Sequence, residues 1–125
     1  MIENELAKVI VNSAFEIHNT LGPGLFESVY EEVMYYELTN RGLMVERQKD
    51  IPVFWKNISM DLGFRADLMV NNKVIVELKS VEKLAPVSFK QLLTYLRLTD
   101  LKLGLLINFN EVLIKDGISR VVNKL

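Results

Sequence analysis

Residues 64–79 read FRADLMVNNKVIVELK, two apolar-rich runs separated by Asn71 and Asn72. In an extended segment Phe64, Ala66, Leu68 and Val70 share one face, and Val74, Val76 and Leu78 share one face of the next. The two apolar faces coincide only if the loop holds an odd number of residues, most simply Asn71, Asn72 and Lys73. A two-residue loop would turn one row to the wrong side. Val70 then pairs with Val74, Asp67 stands opposite Glu77, and Lys79 follows two residues later on the same side. The hairpin is expected to bury Phe64, Ala66, Leu68, Val70, Val74, Val76 and Leu78 together and to gather Asp67, Glu77 and Lys79 on the opposite face.

On the N-terminal side, Leu6, Val9, Ile10, Ala14, Ile17 and Leu21 recur at helical spacing over residues 5–21, and Gly22-Pro23-Gly24 stops the helix. A second helix over residues 25–41 carries Phe26, Val29, Tyr30, Val33, Met34 and Leu38 and ends at Gly42. The period then changes to two: Val45, Ile51, Val53 and Trp55 alternate with polar residues, with Pro52 marking an edge strand or bulge. On the C-terminal side, residues 86–98 read as a helix with Pro86 in its first turn. Residues 103–109 and 112–122 supply late strands, the second interrupted near Asp116-Gly117. The order is α-α-β-β-β-α-β-β, an α/β chain of the α+β kind, with a central mixed sheet flanked by helices.

A chain of 125 residues, half hydrophobic and a quarter charged, is one ordinary globular domain over residues 1–125. It buries roughly two-thirds of its unfolded surface and needs no disulfide or structural metal. The absence of cysteine excludes disulfides, thiolate zinc sites and cysteine nucleophiles, and the single histidine, His18, disfavours multi-histidine metal sites and Ser-His-Asp catalysis. Chemistry here rests on carboxylates, lysines and hydroxyls. No apolar run approaches the ~18–20 residues that cross a bilayer, and MIENELAKV places glutamates where a secretory signal carries lysines, so a cytoplasmic protein with no membrane partner is expected. Net charge is −1, but residues 64–102 hold seven Lys/Arg against four Asp/Glu, whereas residues 1–63 hold five against ten. The local excess of positive charge thus falls around the hairpin.

Two facing carboxylates repel unless a cation lies between them. Oxygen-only ligands suit Mg²⁺ or Mn²⁺. Lys79 beside them could hold a phosphate oxygen or help deprotonate an attacking water, which is the chemistry of phosphodiester hydrolysis. A solvated cross-strand salt bridge would produce the same spacing. Gln91 and Tyr95 are four apart and project from one helix face toward the Lys79 region, apart from the stripe of Phe89, Leu92, Leu93 and Leu96; a surface glutamine beside a half-buried tyrosine is the plainer reading. Glu27 lies in the first turn of its helix, where an acid also complements the dipole. His18 is read as a packing or helix-C-terminal residue, Trp55 as core or edge packing in preference to base stacking, and Arg120 as a solvated strand residue.

The series Asp67, Glu77-Leu78-Lys79 and Gln91-x-x-x-Tyr95 resembles the PD-(D/E)xK nuclease superfamily, especially its exonuclease-like branch. HNTLGPGLFESVY (residues 18–30), with FRADLMV, VIVELKS, QLLTYLRLT and GLLINFN, is similar to the GxxExxY proteins, small prokaryotic members of that superfamily. The resemblance implies a restriction-endonuclease-like core, with Asp67 and Glu77 as metal ligands, the Leu78 carbonyl completing the shell and Lys79 as catalytic lysine. It further implies that Glu27 is the helical acid that helps hold Mg²⁺ or Mn²⁺, and that Gln91 and Tyr95 orient the site or hold phosphate. The proline of the superfamily's name is replaced by Ala66. The implied function is hydrolysis of DNA or RNA; because 125 residues leave little room for a separate recognition domain, specificity is expected from a second copy or a protein partner. The alternative is a catalytically silent module that binds nucleic acid or protein.

Overall fold

The computed structural model describes residues 1–125. Its elements are helices α1 (Glu3–Leu21), α2 (Glu27–Asn40) and α3 (Pro86–Thr99) and strands β1 (Val45–Ile51), β2 (Phe54–Trp55), β3 (Ile58–Ser59), β4 (Phe64–Val70), β5 (Val74–Lys79), β6 (Leu103–Asn108) and β7 (Ile118–Val122). A short three-ten helix over Ile114–Gly117 precedes β7. No helix is long and apolar enough to cross a membrane.

Five strands form one mixed sheet in the order β1-β4-β5-β6-β7. Only β5 and β6 are parallel, and α3 is the crossover between them. The β4–β5 register follows the hydrophobic argument: Val70 pairs with Val74, Met69 with Ile75 and Leu68 with Val76. Asn71 and Asn72 adopt left-handed φ values of 51° and 53°, conformations that asparagine tolerates well, and the Lys73 N–H closes the loop on the Val70 carbonyl at 3.0 Å.

Both faces of the sheet are covered. Leu68, Val70, Val74, Val76 and Leu78 pack with Leu6, Ile10, Met34 and Leu38 of α1 and α2. Ala66, Met69, Ile75 and Leu106 pack with Leu92 and Leu96 of α3. The expectation of one seven-residue apolar face therefore needs correction: Ala66 and the half-buried Phe64 belong to the α3 side. Strand parity breaks at Asp67, where the ladder is interrupted, and the face carrying Glu77 is a second apolar layer and not a solvated one.

Three further expectations are revised. Pro52, which has no N–H to continue a ladder, lies just beyond the end of β1 at Ile51, and residues 54–59 form a separate two-stranded hairpin turning on left-handed Lys56 and Asn57. Trp55 is consequently 66% exposed instead of packed. Val112 and Leu113 are exposed loop residues, and the last strand begins only at Ile118.

Candidate active site

The β4–β5 ladder ends at Leu68–Val76, one pair short of Asp67 and Glu77. From there side chains replace backbone partners. The Leu78 N–H donates to Asp67 Oδ2 at 2.8 Å, and the Asp67 N–H donates to Glu77 Oε2 at 3.2 Å. Each carboxylate thus caps the strand that carries the other, and the two acids lie in contact. A residue's N–H and C=O point to the same side of an extended strand, so the Leu78 carbonyl also faces this gap.

Glu27 reaches the same end of β5 through the turn that separates α1 from α2. Gly22 and Gly24 take φ values of 74° and 97°, which a side chain would strain. The buried Tyr30 hydroxyl donates to the Gly22 carbonyl at 2.6 Å and accepts the Leu25 N–H at 3.2 Å, while its ring stacks on Phe109 at 4.3 Å. The turn is docked on β5 by Ser80, whose hydroxyl donates to the Leu25 carbonyl and whose N–H donates to Glu27 Oε2 at 3.4 Å. The Gly-x-x-Glu-x-x-Tyr spacing thus has a physical basis: the glycine shapes the turn, the tyrosine locks it, and the glutamate is presented to the strand end. Glu27, Glu31, Gln48, Asp67 and Leu78 line one cleft of about 180 Å³.

On the α3 side a smaller recess of about 30 Å³ is lined by Glu77, Lys79, Gln91, Tyr95 and Ser88. The i, i+4 spacing on α3 brings Gln91 and Tyr95 to Lys79. Tyr95 is held by stacking on Phe64 at 3.6 Å. The backbone of Lys79 is clamped by the Phe109 N–H, which donates to its carbonyl at 2.9 Å. The fully buried Asn108 ties the following loop by accepting the Val81 N–H and donating to the Val81 carbonyl.

Burial, and then the adjacent charge of Asp67, pushes the Glu77 carboxyl up to about 9, with Lys79 opposing only in part. Burial followed by the charges of Glu77 and Asp67 also raises the Tyr95 hydroxyl, which keeps it a hydrogen-bond donor at neutral pH. Without a cation the carboxylate pair therefore retains a proton. A hard divalent cation would take that proton's place, and the donors available to it are all oxygens: Asp67, Glu77 and the Leu78 carbonyl. No three Asp, Glu or His side chains stand close enough to form a ready-made metal cage, so Glu27 borders the pair without closing on it.

Gln48 is the site residue that sequence reasoning missed. It sits on β1 opposite Asp67 with φ 48°, interrupting the β1–β4 ladder there. Its amide donates to Glu31 Oε1 at 2.5 Å and to Asp67 Oδ1 at 3.4 Å. No local pattern marks it, because its role comes from a non-local pairing. Asn108 did carry a signal, as a lone amide inside the apolar run LGLLIN. His18 is a packing residue, its Nε2 bonded to the Glu111 carbonyl at 2.8 Å, and Arg120 is an exposed strand residue donating to Asn4 at 2.9 Å.

The model of the PD-(D/E)XK nuclease superfamily matches residues 4–121. No curated protein and no solved structure matches the chain. The matched span takes in both helices that build the Glu27 turn, the diverging strand pair and α3, with the five-stranded mixed sheet and its three flanking helices as the frame. Nucleases of that superfamily act on nucleic acid and generally use divalent metal ions. This chain belongs to the PD-(D/E)XK nuclease superfamily.

Proposed function

We propose that this chain is an active nuclease of the GxxExxY group, a single domain over residues 1–125 that hydrolyses phosphodiester bonds of DNA or RNA with Mg²⁺ or Mn²⁺. The observation that carries this reading is the contact of Asp67 with Glu77 at the point where β4 and β5 diverge, with Lys79 on the same strand end.

Asp67, Glu77 and the Leu78 carbonyl would hold the cation, with Glu27 nearby on α2; when bound it would supply charge neutralisation on the phosphate and ease ionisation of the attacking water. Lys79 orients that water toward phosphorus and stabilises the negative charge that develops on it. Gln91 and Tyr95 donate hydrogen bonds to a non-bridging phosphate oxygen. The water oxygen forms the new P–O bond as its proton passes to solvent, the bond to the leaving sugar oxygen breaks, and that oxygen takes a proton from solvent to leave as a hydroxyl.

The test is incubation of labelled single- and double-stranded DNA and RNA with the protein, with and without Mg²⁺ or Mn²⁺. Cleavage that requires the cation supports the reading. Retention of nucleic acid without cleavage under every condition overturns it in favour of a binding module.

A further inference from the structure

The hairpin β2–β3 projects beyond the last β1–β4 pair, Ile51–Phe64, and belongs to neither core cluster. Two-stranded hairpins are marginal on their own, yet this one turns large side chains outward: Phe54 is 55% exposed, Trp55 66% and Ile58 61%. Lys56 lies 5.7 Å from the Trp55 ring centroid and enters none of the chain's ion pairs. Its tip therefore combines exposed aromatic faces with a free cation.

Its root leads to the site. At that root a cleft of about 500 Å³ is lined by the segments on either side of the hairpin, Asp50–Pro52 and Met60–Arg65, Phe64 among them. Phe64 stacks on Tyr95, and Tyr95 lines the recess with Glu77 and Lys79. Phe64 is three residues from Asp67, roughly 10 Å along the strand.

We propose that this hairpin is a stacking platform for unpaired bases of the nucleic-acid strand whose phosphate enters the site, with Trp55 supplying the ring face and Lys56 meeting the backbone. The inference rests on the nuclease reading and narrows its substrate to strands with single-stranded character. Aromatic faces beside a cation suit bases joined by phosphates, because every base has a stackable face and no sequence code is needed. A second copy of this chain fits less well. A stable dimer buries roughly 800 Å² per partner, and each aromatic side chain offers only about 150–250 Å² even when fully covered.

Trp55 is the only tryptophan of the chain, so its fluorescence reports on this hairpin alone. The full chain, with metal chelated to prevent cleavage, is titrated with a single-stranded oligothymidylate of about 12 nucleotides, within the footprint of small single-strand-binding domains. Fluorescence and the anisotropy of labelled DNA are read together, and a duplex of the same length is run in parallel. Oligothymidylate should quench Trp55. Trp55→Ala should weaken single-strand binding roughly 5- to 150-fold, the range expected for loss of one stacked base, while duplex binding stays within a factor of about two. Trp55→Phe should recover part of the loss. Binding by anisotropy without quenching, and equal in Trp55→Ala, overturns the platform and leaves the nuclease reading intact. A dimer that Trp55→Ala dissociates, with DNA binding unchanged, makes the hairpin a protein interface and also overturns it. Failure of the wild type to bind oligothymidylate overturns the platform, whereas the nuclease reading stands or falls separately on cation-dependent cleavage.

Discussion

Replacing Glu77 with glutamine exchanges a buried acid for a neutral amide of nearly the same shape. The Glu77 carboxyl stands near 9 in the folded chain against an ordinary 4.5, mainly through burial and then through the charge of Asp67. Between these values the folded protein holds a proton that the unfolded chain has released. The resulting stabilisation is complete below the ordinary value and is lost as pH rises toward 9. One proton corresponds to a slope of about 1.4 kcal/mol per pH unit. For a chain of this length 1 kcal/mol moves Tm by roughly 4 °C, so the wild type should lose up to about 5 °C per pH unit in excess of the variant. From pH 5.5 to 7.5 the difference amounts to about 3 kcal/mol, or some 10 °C. Differential scanning fluorimetry in chelator, with wild type and Glu77→Gln across pH 5–8.5, measures it. Because the proton belongs to a coupled pair, the slope should diminish when Mg²⁺ or Mn²⁺ replaces it. Parallel Tm curves for the two proteins would refute the argument, since Glu77 would then be ionised like a surface acid.

Gln48→Gly should leave the metal-free Tm unchanged or raise it by a few degrees, because glycine adopts the φ of 48° without strain, yet it should weaken Mn²⁺ binding several-fold by freeing Asp67 Oδ1. Equal Mn²⁺ affinity, read by titration of Tm, would show that Gln48 does not position Asp67. For the wild type, Mn²⁺ at about 100 times its Kd should add about 2.7 kcal/mol, roughly 10 °C in Tm, and Asp67→Asn should abolish the shift. A wild-type Tm that ignores millimolar Mn²⁺ would contradict the ligand assignment.

Most of the fold was legible because burial on a sheet has period two and burial on a helix has period 3.6. The row Val70, Val74, Leu68 and Val76 dictated the β4–β5 register, and Gly22 and Gly42 marked the helix ends. Gln91 and Tyr95 could be brought to Lys79 because i, i+4 geometry is local. Asp67 and Glu77 fall at the next position of that register, but the ladder stops at Leu68–Val76 and the two acids meet by each capping the other's strand. What escaped depends on breaks in regularity. Asp67 replaces a ladder partner with its own carboxylate, so strand parity changes there and Ala66 changes layers. Gln48 reaches the site only through the β1–β4 pairing and a left-handed backbone. Trp55 continues the alternation of β1 on paper, but Pro52 ends that strand and lets the chain double back as a hairpin. The Gly24-x-x-Glu27-x-x-Tyr30 spacing is legible as a pattern, but its mechanics lie in the Tyr30 hydroxyl, which bonds the Gly22 carbonyl and the Leu25 N–H on either side of Gly24.

The central claim is that Lys79 works beside a cation-binding acid pair to hydrolyse phosphodiesters, and the rate of metal-dependent cleavage of a labelled oligonucleotide by Lys79→Met against wild type tests it most directly. Methionine keeps much of the apolar stem and removes the ammonium, so folding and Mn²⁺ binding should persist. Cleavage should fall by roughly 10²–10³-fold, the usual loss when one preorganised group that stabilises developing negative charge is removed. Cleavage by Lys79→Met at the wild-type rate would contradict the account.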